Sequence, residues 1–267
     1  MLKNYRIDGG KGFRLKDFDP DDTGDFKDRA EAEAATAVDV QRLGELQERF
    51  YIDNRRALLI VLQAMDTGGK DGTIKHVFRG INPVGCQVTS FKKPTHEEMD
   101  HDFLWRINRA LPARGNIGIF NRSHYEDVLV VRVHDLVPEA VWSRRYEHIN
   151  TFEKLLTDEN TIVLKFFLHI SKQEQKERLE ERLQDKEKHW KFDPNDLKER
   201  EHWDDYMGAF EEVLRKCSKP AAPWYVVPAN KKWFRNYIVA RTLVSTLSKL
   251  DFKLPKPDFD PAKIKIV

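Results

Sequence analysis

The sequence predicts an α/β domain built on a mostly parallel sheet with helices on both faces. Three observations predict it. Short apolar runs alternate with helical patterns along nearly all of the 267 residues. One run, Ala57 to Gln63, ends abruptly in the turn Asp66-Thr67-Gly68-Gly69-Lys70-Asp71-Gly72-Thr73, and a helical pattern follows with Ile74, Val77, Phe78 and Ile81 on one face. Another run, Asn116 to Phe120, ends in the dense polar cluster Asn121-Arg122-Ser123-His124-Tyr125-Glu126-Asp127. Ligands of such sheets bind beyond the carboxyl ends of the strands, so the turn and the cluster are expected to share one crevice.

Met1 to about Lys27 is polar and turn-rich and reads as an arm on the surface of its own or a neighbouring subunit. A helical pattern runs from Asp28 to Arg55, with Val38, Leu43, Leu46 and Phe50 spaced for one apolar face, so that residues 1–55 form an arm and a helix ahead of the first strand. After the glycine-rich turn and its helix, Val84 to Phe91 reads as a strand. His96 to Leu111 is an amphipathic helix stopped by Pro112 and Gly115. Beyond the polar cluster, Pro138 to Leu156 is helix and Thr161 to His169 a long apolar strand. Two charged helices, Lys172 to Lys188 and about Asn195 to Lys216, are broken by His189 to Pro194, and together read as a helical lid within the domain. Trp224 to Val227 is the fifth strand and Lys231 to Leu250 the closing helix, followed by a Pro- and Lys-rich tail to Val267. The whole chain, 1–267, reads as a single domain.

Hydrophobic residues make up 40% of the chain, enough for a full core. Charged residues reach 34% but balance to a formal net charge of +2, low for a bulk polyanion binder. No nucleic-acid partner is expected, and any anion site must be local. Cys86 and Cys217 follow no metal spacing, Cys86 reads as a core residue, and both suit a reducing, cytoplasmic setting. No run is long enough to span a membrane, and the N-terminus carries no signal-like apolar region. His96, His101 and His134 lack zinc spacing, and no GxSxG elbow occurs.

The glycine-rich turn carries the chemistry. A turn between strand and helix aims backbone N–H groups at one spot, and the helix N-terminus adds partial positive charge there. Thr67 to Thr73, with the Lys70 ammonium, therefore form a phosphate cradle. The pattern departs from GxxxxGK[ST] at Ala64 and Asp71, while Gly69-Lys70 fits. Asp66 would repel phosphate unless a divalent cation lay between them, so it is a candidate Mg²⁺ ligand. In the second cluster Arg122 suits bidentate phosphate contact, and Glu126 or Asp127 could hold Mg²⁺ or hydrogen-bond a nucleotide's ribose or base. Arg178 and Arg182, spaced i,i+4, are candidate lid arginines that close over phosphates. Lys75, Lys92 and Lys93 flank the crevice and, with Arg182, would suit a chain of phosphates rather than one.

The segments AMDTGGKDGTIKHVFRGINPVG, SFKKPT and GNIGIFNRSHYEDVLVVRVH resemble the family-2 polyphosphate kinases over about Tyr5 to Leu250, and within them the class that phosphorylates both nucleoside mono- and diphosphates. The resemblance implies a fold like that of thymidylate kinase: a P-loop kinase-like three-layer sandwich with a five-stranded parallel sheet and a helical lid. It implies phosphoryl transfer between inorganic polyphosphate and AMP, ADP or ATP, with Mg²⁺ or Mn²⁺. By position, Asp66 matches the loop aspartate acting through Mg²⁺, Lys70 the lysine on the transferred phosphoryl, Arg122 the arginine of the second motif and Arg178 a lid arginine. Asn121 and Glu126 resemble the broader-acceptor class, in place of the Asp and Asn of single-acceptor relatives, and Gly68 stands where relatives more often have Ala. A homo-oligomer, dimer or tetramer, is also expected. The rival readings are an ATP-dependent nucleoside monophosphate kinase on the same fold and a non-catalytic nucleotide-binding module.

Overall fold

The computed structural model describes residues 1–10, 12–256, 258–260 and 263–265; Lys11 of the expected arm and Pro257, Pro261, Ala262, Ile266 and Val267 of the expected tail lie outside the described residues. In chain order the first half gives β1 (Arg6–Ile7), α1 (Arg29–Asp53), β2 (Ala57–Gln63), α2 (Lys70–Val77), β3 (Cys86–Ser90), α3 (His96–Met99), α4 (Trp105–Arg109) and β4 (Ile117–Asn121). The second half gives α5 (Val130–Val133), α6 (Glu139–Asp158), β5 (Thr161–His169), α7 (Lys172–Gln184), α8 (Asn195–Glu201), α9 (Trp203–Cys217), β6 (Trp224–Pro228) and α10 (Lys232–Leu247).

Among the described residues these strands form one six-stranded sheet in the order β1-β6-β5-β2-β4-β3. The expected sheet had five parallel strands; the sixth is β1, antiparallel to β6 through Arg6↔Tyr225 and Ile7↔Trp224, so the sheet is mixed. Two residues carry no periodicity, and β1 is set instead by burial of Tyr5 and Ile7 against the core. The arm thus docks on its own subunit. The strand order reverses at β2, which lies between β4 and β5 with every residue of ALLIVLQ buried. The crevice therefore opens beyond the carboxyl ends of β2 and its neighbour β4, where the two polar motifs begin.

α1 starts at Asp28, whose side chain accepts from Glu31 N. Leu43, Leu46 and Phe50 face the core as expected, but Val38 is 66% exposed and Val40 takes the inward position. The expected helix over His96 to Leu111 is two short ones, because Asp102 Oδ1 accepts from Leu104 N at 2.9 Å and starts a new turn. Cys86 is only half-buried, since β3 is the sheet's edge strand.

The expected lid over Lys172 to Lys216 is much smaller. α9 is amphipathic, burying Trp203, Tyr206, Phe210, Val213 and Leu214, and its Phe210 ring lies 4.3 Å from that of Phe167 on β5. It covers the sheet as a core helix. α7 is anchored too, with Gln175, Arg178 and Leu179 buried. The exposed part is the 3₁₀ turn Lys186–Lys191 with α8, where Trp190 is 79% exposed. Arg182 Nη1 joins its two ends by donating to Lys191 O at 3.0 Å and Asp196 Oδ2 at 3.3 Å.

Candidate active site

The loop between β2 and α2 is held in a conformation few sequences tolerate. Thr67 has φ +62°, and Gly69, at the N-cap of α2, has φ +98°. Lys70 is the first residue of α2, so its side chain folds back under the loop and Nζ donates to Ala64 O at 3.0 Å. Burial, followed by the neighbouring Arg122 charge, pushes this ammonium below the usual lysine range. Thr73 Oγ1 donates to Gly69 O at 3.1 Å and is fully buried, so this hydroxyl braces the loop.

Arg122 leaves the end of β4 at φ +61°, a conformation that costs a non-glycine residue about 1 kcal/mol or more. Its N–H donates to Leu62 O on β2, which sets the kink. The kink brings its guanidinium to Asp66, with Nη2 2.8 Å from Oδ1, and to Glu126, with Nη1 3.9 Å from Oε2. Burial opposes the charge on Arg122, but Glu126 and Asp66 outweigh it and hold the guanidinium above its ordinary range. Glu126 Oε1 accepts from Gln63 Nε2 at 2.9 Å, and Asn121 Nδ2 donates to Asp71 Oδ1 at 2.7 Å. Asp66, Lys70, Arg122, Asn121 and Glu126 therefore do converge in one crevice.

Asp127 does not join them. It turns to α6, where Oδ1 accepts from Arg145 Nη1 at 2.8 Å. Burial pushes its carboxyl up to about 6 against the opposing pull of Arg145. Beneath the cluster lies a buried network that sequence reading missed. Lys165, in the middle of β5, donates to Glu153, to Tyr125 Oη at 2.9 Å and to Cys217 O at 2.8 Å. Glu153 also accepts from Tyr125 Oη at 2.7 Å and pairs with His124 Nε2 at 3.2 Å. Burial would raise the Glu153 carboxyl, but Lys165 and His124 outweigh it. Breaking such a buried pair costs about 3–5 kcal/mol, so the network pins the turn carrying Arg122 and Glu126. Its one signal in the sequence is the charged residue inside TIVLKFFLH.

The opposite side of the loop is cationic. Arg178, expected as a lid arginine, is a buried clamp: Nη1 donates to Thr67 O at 3.0 Å, Nη2 to Ala229 O at 2.6 Å and Asn230 O at 3.1 Å, and Nε to Glu174 at 2.8 Å. Gln175 Nε2 adds a bond to Asp66 O at 3.1 Å. A cavity of about 640 Å³ opens beside this clamp, lined by Thr67, Gly69 and Gly72 of the loop, by Arg182 and Lys191, and by Lys231 and Lys232 at the start of α10. Of the expected phosphate-chain track, Arg182 lines this cavity. Lys75 is exposed on α2 outside its lining, and Lys92 and Lys93 are exposed beyond edge strand β3, two strands from β2.

Asp66 Oδ2 has no hydrogen-bond partner among the described residues, so one carboxylate oxygen at the phosphate loop is free to meet a hard cation. No group of three His, Cys, Asp or Glu that could hold a metal occurs among the described residues. A lone carboxylate fits Mg²⁺, which is commonly held by one or two carboxylates plus substrate phosphates.

Comparison with known proteins agrees with this geometry. The family model for polyphosphate kinase 2 matches residues 26–255. The AMP/ADP-polyphosphate phosphotransferase of Meiothermus ruber is 52% identical over 99% of this chain and 100% of its own. The ADP-polyphosphate phosphotransferase of Rhodopseudomonas palustris is 48% identical over 85% of this chain and 82% of its own. The crystal structure of polyphosphate kinase 2 from Arthrobacter aurescens superimposes with a TM-score of 0.92 at 47% identity, covering 96% of this chain and 92% of that one. With near-complete coverage in both directions and the loop, kink and cationic cavity in place, the chain belongs to the polyphosphate kinase 2 family.

Proposed function

We propose that this enzyme moves a phosphoryl group reversibly between inorganic polyphosphate and nucleotides, making ADP from AMP, ATP from ADP and GTP from GDP. The observation that carries the reading is the two-sided loop. One side holds Asp66, Arg122 and Glu126, with carboxylates suited to a metal and a nucleotide. The other opens into a cavity where lysines and arginines outnumber acids, suited to a long anion. The names of the Meiothermus and Rhodopseudomonas relatives support polyphosphate as donor and AMP and ADP as acceptors.

In this reading Lys70 and the loop N–H groups hold the phosphoryl in transit, and Arg122 neutralises charge on the acceptor side. Glu126, oriented by Gln63, contacts the nucleotide, with Asn121 steadying Asp71 beside it. Asp66 would hold Mg²⁺ or Mn²⁺, which when bound would supply charge neutralisation to the phosphates. The donor chain runs through the cavity past Arg182, Lys191, Lys231 and Lys232 rather than over Lys75, Lys92 and Lys93. Positioning and electrostatics do the work, since phosphoryl transfer asks little covalent help of the protein. We place the enzyme in the cytoplasm as a dimer or tetramer. Its free thiols suit a reducing compartment, and exposed Val84 and Val88 by edge strand β3 suit a subunit contact. No helix among the described residues is long and apolar enough to cross a membrane.

A donor swap tests the reading. AMP is incubated with polyphosphate, or with ATP, as the sole donor. Faster ADP formation from polyphosphate supports it. Equal or faster transfer from ATP favours a nucleoside monophosphate kinase, and no transfer from either favours a binding module.

A further inference from the structure

Arg235, on α10, is 2% exposed and has no carboxylate partner. Among the described residues the hydrogen bonds of its guanidinium all go to the side-chain oxygen of its neighbour Asn236, from Nε at 3.2 Å and Nη2 at 2.9 Å, which leaves Nη1 uncommitted. The guanidinium lies against the phosphate loop. A Cβ on Gly69 would overlap it, and one on Gly72 would come within 3.2 Å of Nη2. Gly69 and Gly72 thus leave room for the guanidinium. Arg178 stands beside it, and the two positive charges repel.

The contrast with Arg178 is informative. Arg178 spends its donors on three carbonyls and Glu174, as a structural arginine does. Arg235 is buried equally deeply, yet borders the cationic cavity with a donor to spare. A buried charge without a counter-charge is costly, and an anion delivered beside it removes that cost. Burial and then Arg178 push the Arg235 pKa down to about 9, and burial followed by the Arg235 charge holds His76 below the usual histidine range. Arg178 and Arg235 stand together beside the N-terminus of α2, where backbone N–H groups already favour phosphate.

We propose that Arg235 is a donor-binding residue: with the N-terminus of α2 it grips the polyphosphate unit next to the one being transferred. Resting on the polyphosphate reading above, the inference adds a residue some 160 positions beyond the loop, on the last helix. The guanidinium contacts donor phosphate alone, because Asp66, Arg122 and Glu126 serve the nucleotide on the loop's other side.

The test is equilibrium binding of tripolyphosphate and of long polyphosphate to wild type, Arg235→Met and Arg235→Lys, with melting temperatures measured without ligand. Arg235→Met removes an unpaired buried charge at similar volume, so its melting temperature should equal or exceed that of wild type. Its affinity for both polyphosphates should fall at least about tenfold, as expected for a lost charge-assisted bond, while ADP affinity stays within about twofold. Arg235→Lys keeps the charge without the fork and should fall between. Wild-type polyphosphate affinity in Arg235→Met, or equal losses for ADP and polyphosphate in either variant, overturns the proposal. So does a destabilised or unfolded Met variant whose Lys counterpart binds polyphosphate like wild type. Because binding is read without turnover, wild type that binds polyphosphate but makes no nucleotide from it would refute the proposed function and leave the role of Arg235 standing.

Discussion

Replacing Arg178 with Ala should damage stability and turnover together, and the structure gives the size of both effects. The side chain is 6% exposed and ties three segments: Thr67 of the loop, Glu174 on its own helix, and the Ala229-Asn230 turn after β6. A charge-assisted hydrogen bond is worth about 1.5–3 kcal/mol, and the bonds are not additive because they share one guanidinium. Removing one partner of a buried ion pair costs about 3–5 kcal/mol, which serves as the estimate for the whole clamp. In a domain of this size that lowers Tm by on the order of 10 °C. Thr67, held at φ +62° with its carbonyl on Arg178, then relaxes. A displacement of about 1 Å at a reacting phosphate can cost about a hundredfold in turnover. The assay pairs urea unfolding with ATP formation at saturating polyphosphate, and includes Arg178→Lys, which should recover only part of either loss. An alanine variant with an unchanged Tm but impaired turnover would show that Arg178 swings as a lid arginine, and the clamp would be wrong.

Other expectations follow from the same geometry. Lys70→Ala should cut turnover at least about a hundredfold in both directions, with Tm and far-ultraviolet dichroism confirming a folded variant. Lys231→Ala with Lys232→Ala should raise KM for long polyphosphate several-fold at low salt and less at high salt, while Lys92→Ala with Lys93→Ala leaves it nearly unchanged; the reverse result moves the donor track to the edge of the sheet. Asp127 has its folded-state pKa raised from 3.8 to about 6, so its contribution is fully present below about pH 4 and is lost as pH rises through 6. Asp127→Asn should therefore remove a fall in stability of order 1–3 kcal/mol between pH 4 and 6, read as urea midpoints, and an unaltered profile would contradict the burial argument.

The strands whose limits were legible to the residue are the two long, mostly buried ones. Ala57 to Gln63 and Thr161 to His169 match β2 and β5 to the residue, because strands buried on both faces read as near-continuous apolar runs, broken inside β5 by Lys165. β1 was not legible: two residues paired to a strand more than two hundred positions away leave no local pattern. The lid was overread because charge was weighed above spacing. α9 carries charges of both signs, yet Trp203, Tyr206, Phe210, Val213 and Leu214 recur at helical intervals and bury one face. Asp66, Lys70, Arg122 and Glu126 could be found because each lies within a few residues of a strand end. Gln63, Gln175 and Arg235 could not, since a buried glutamine closing a strand or an arginine inside an ordinary helix looks the same whether or not it faces a ligand. Arg178 was found, but its partners were not. Helical spacing put it on a face, and only the fold shows that the face meets Thr67 and Ala229.

The central claim is that the loop passes phosphoryl groups from polyphosphate to nucleotide with Asp66 and Lys70 at its centre. The most direct measurement is the rate of ATP formation from ADP and long polyphosphate with Mg²⁺ and no ATP supplied, for wild type, Asp66→Asn and Lys70→Ala. The account predicts polyphosphate-dependent ATP from wild type, a shifted Mg²⁺ requirement in Asp66→Asn and near-loss of turnover in Lys70→Ala. Wild-type protein that yields no ATP, or a folded Lys70→Ala variant that yields it at the wild-type rate, would contradict the account.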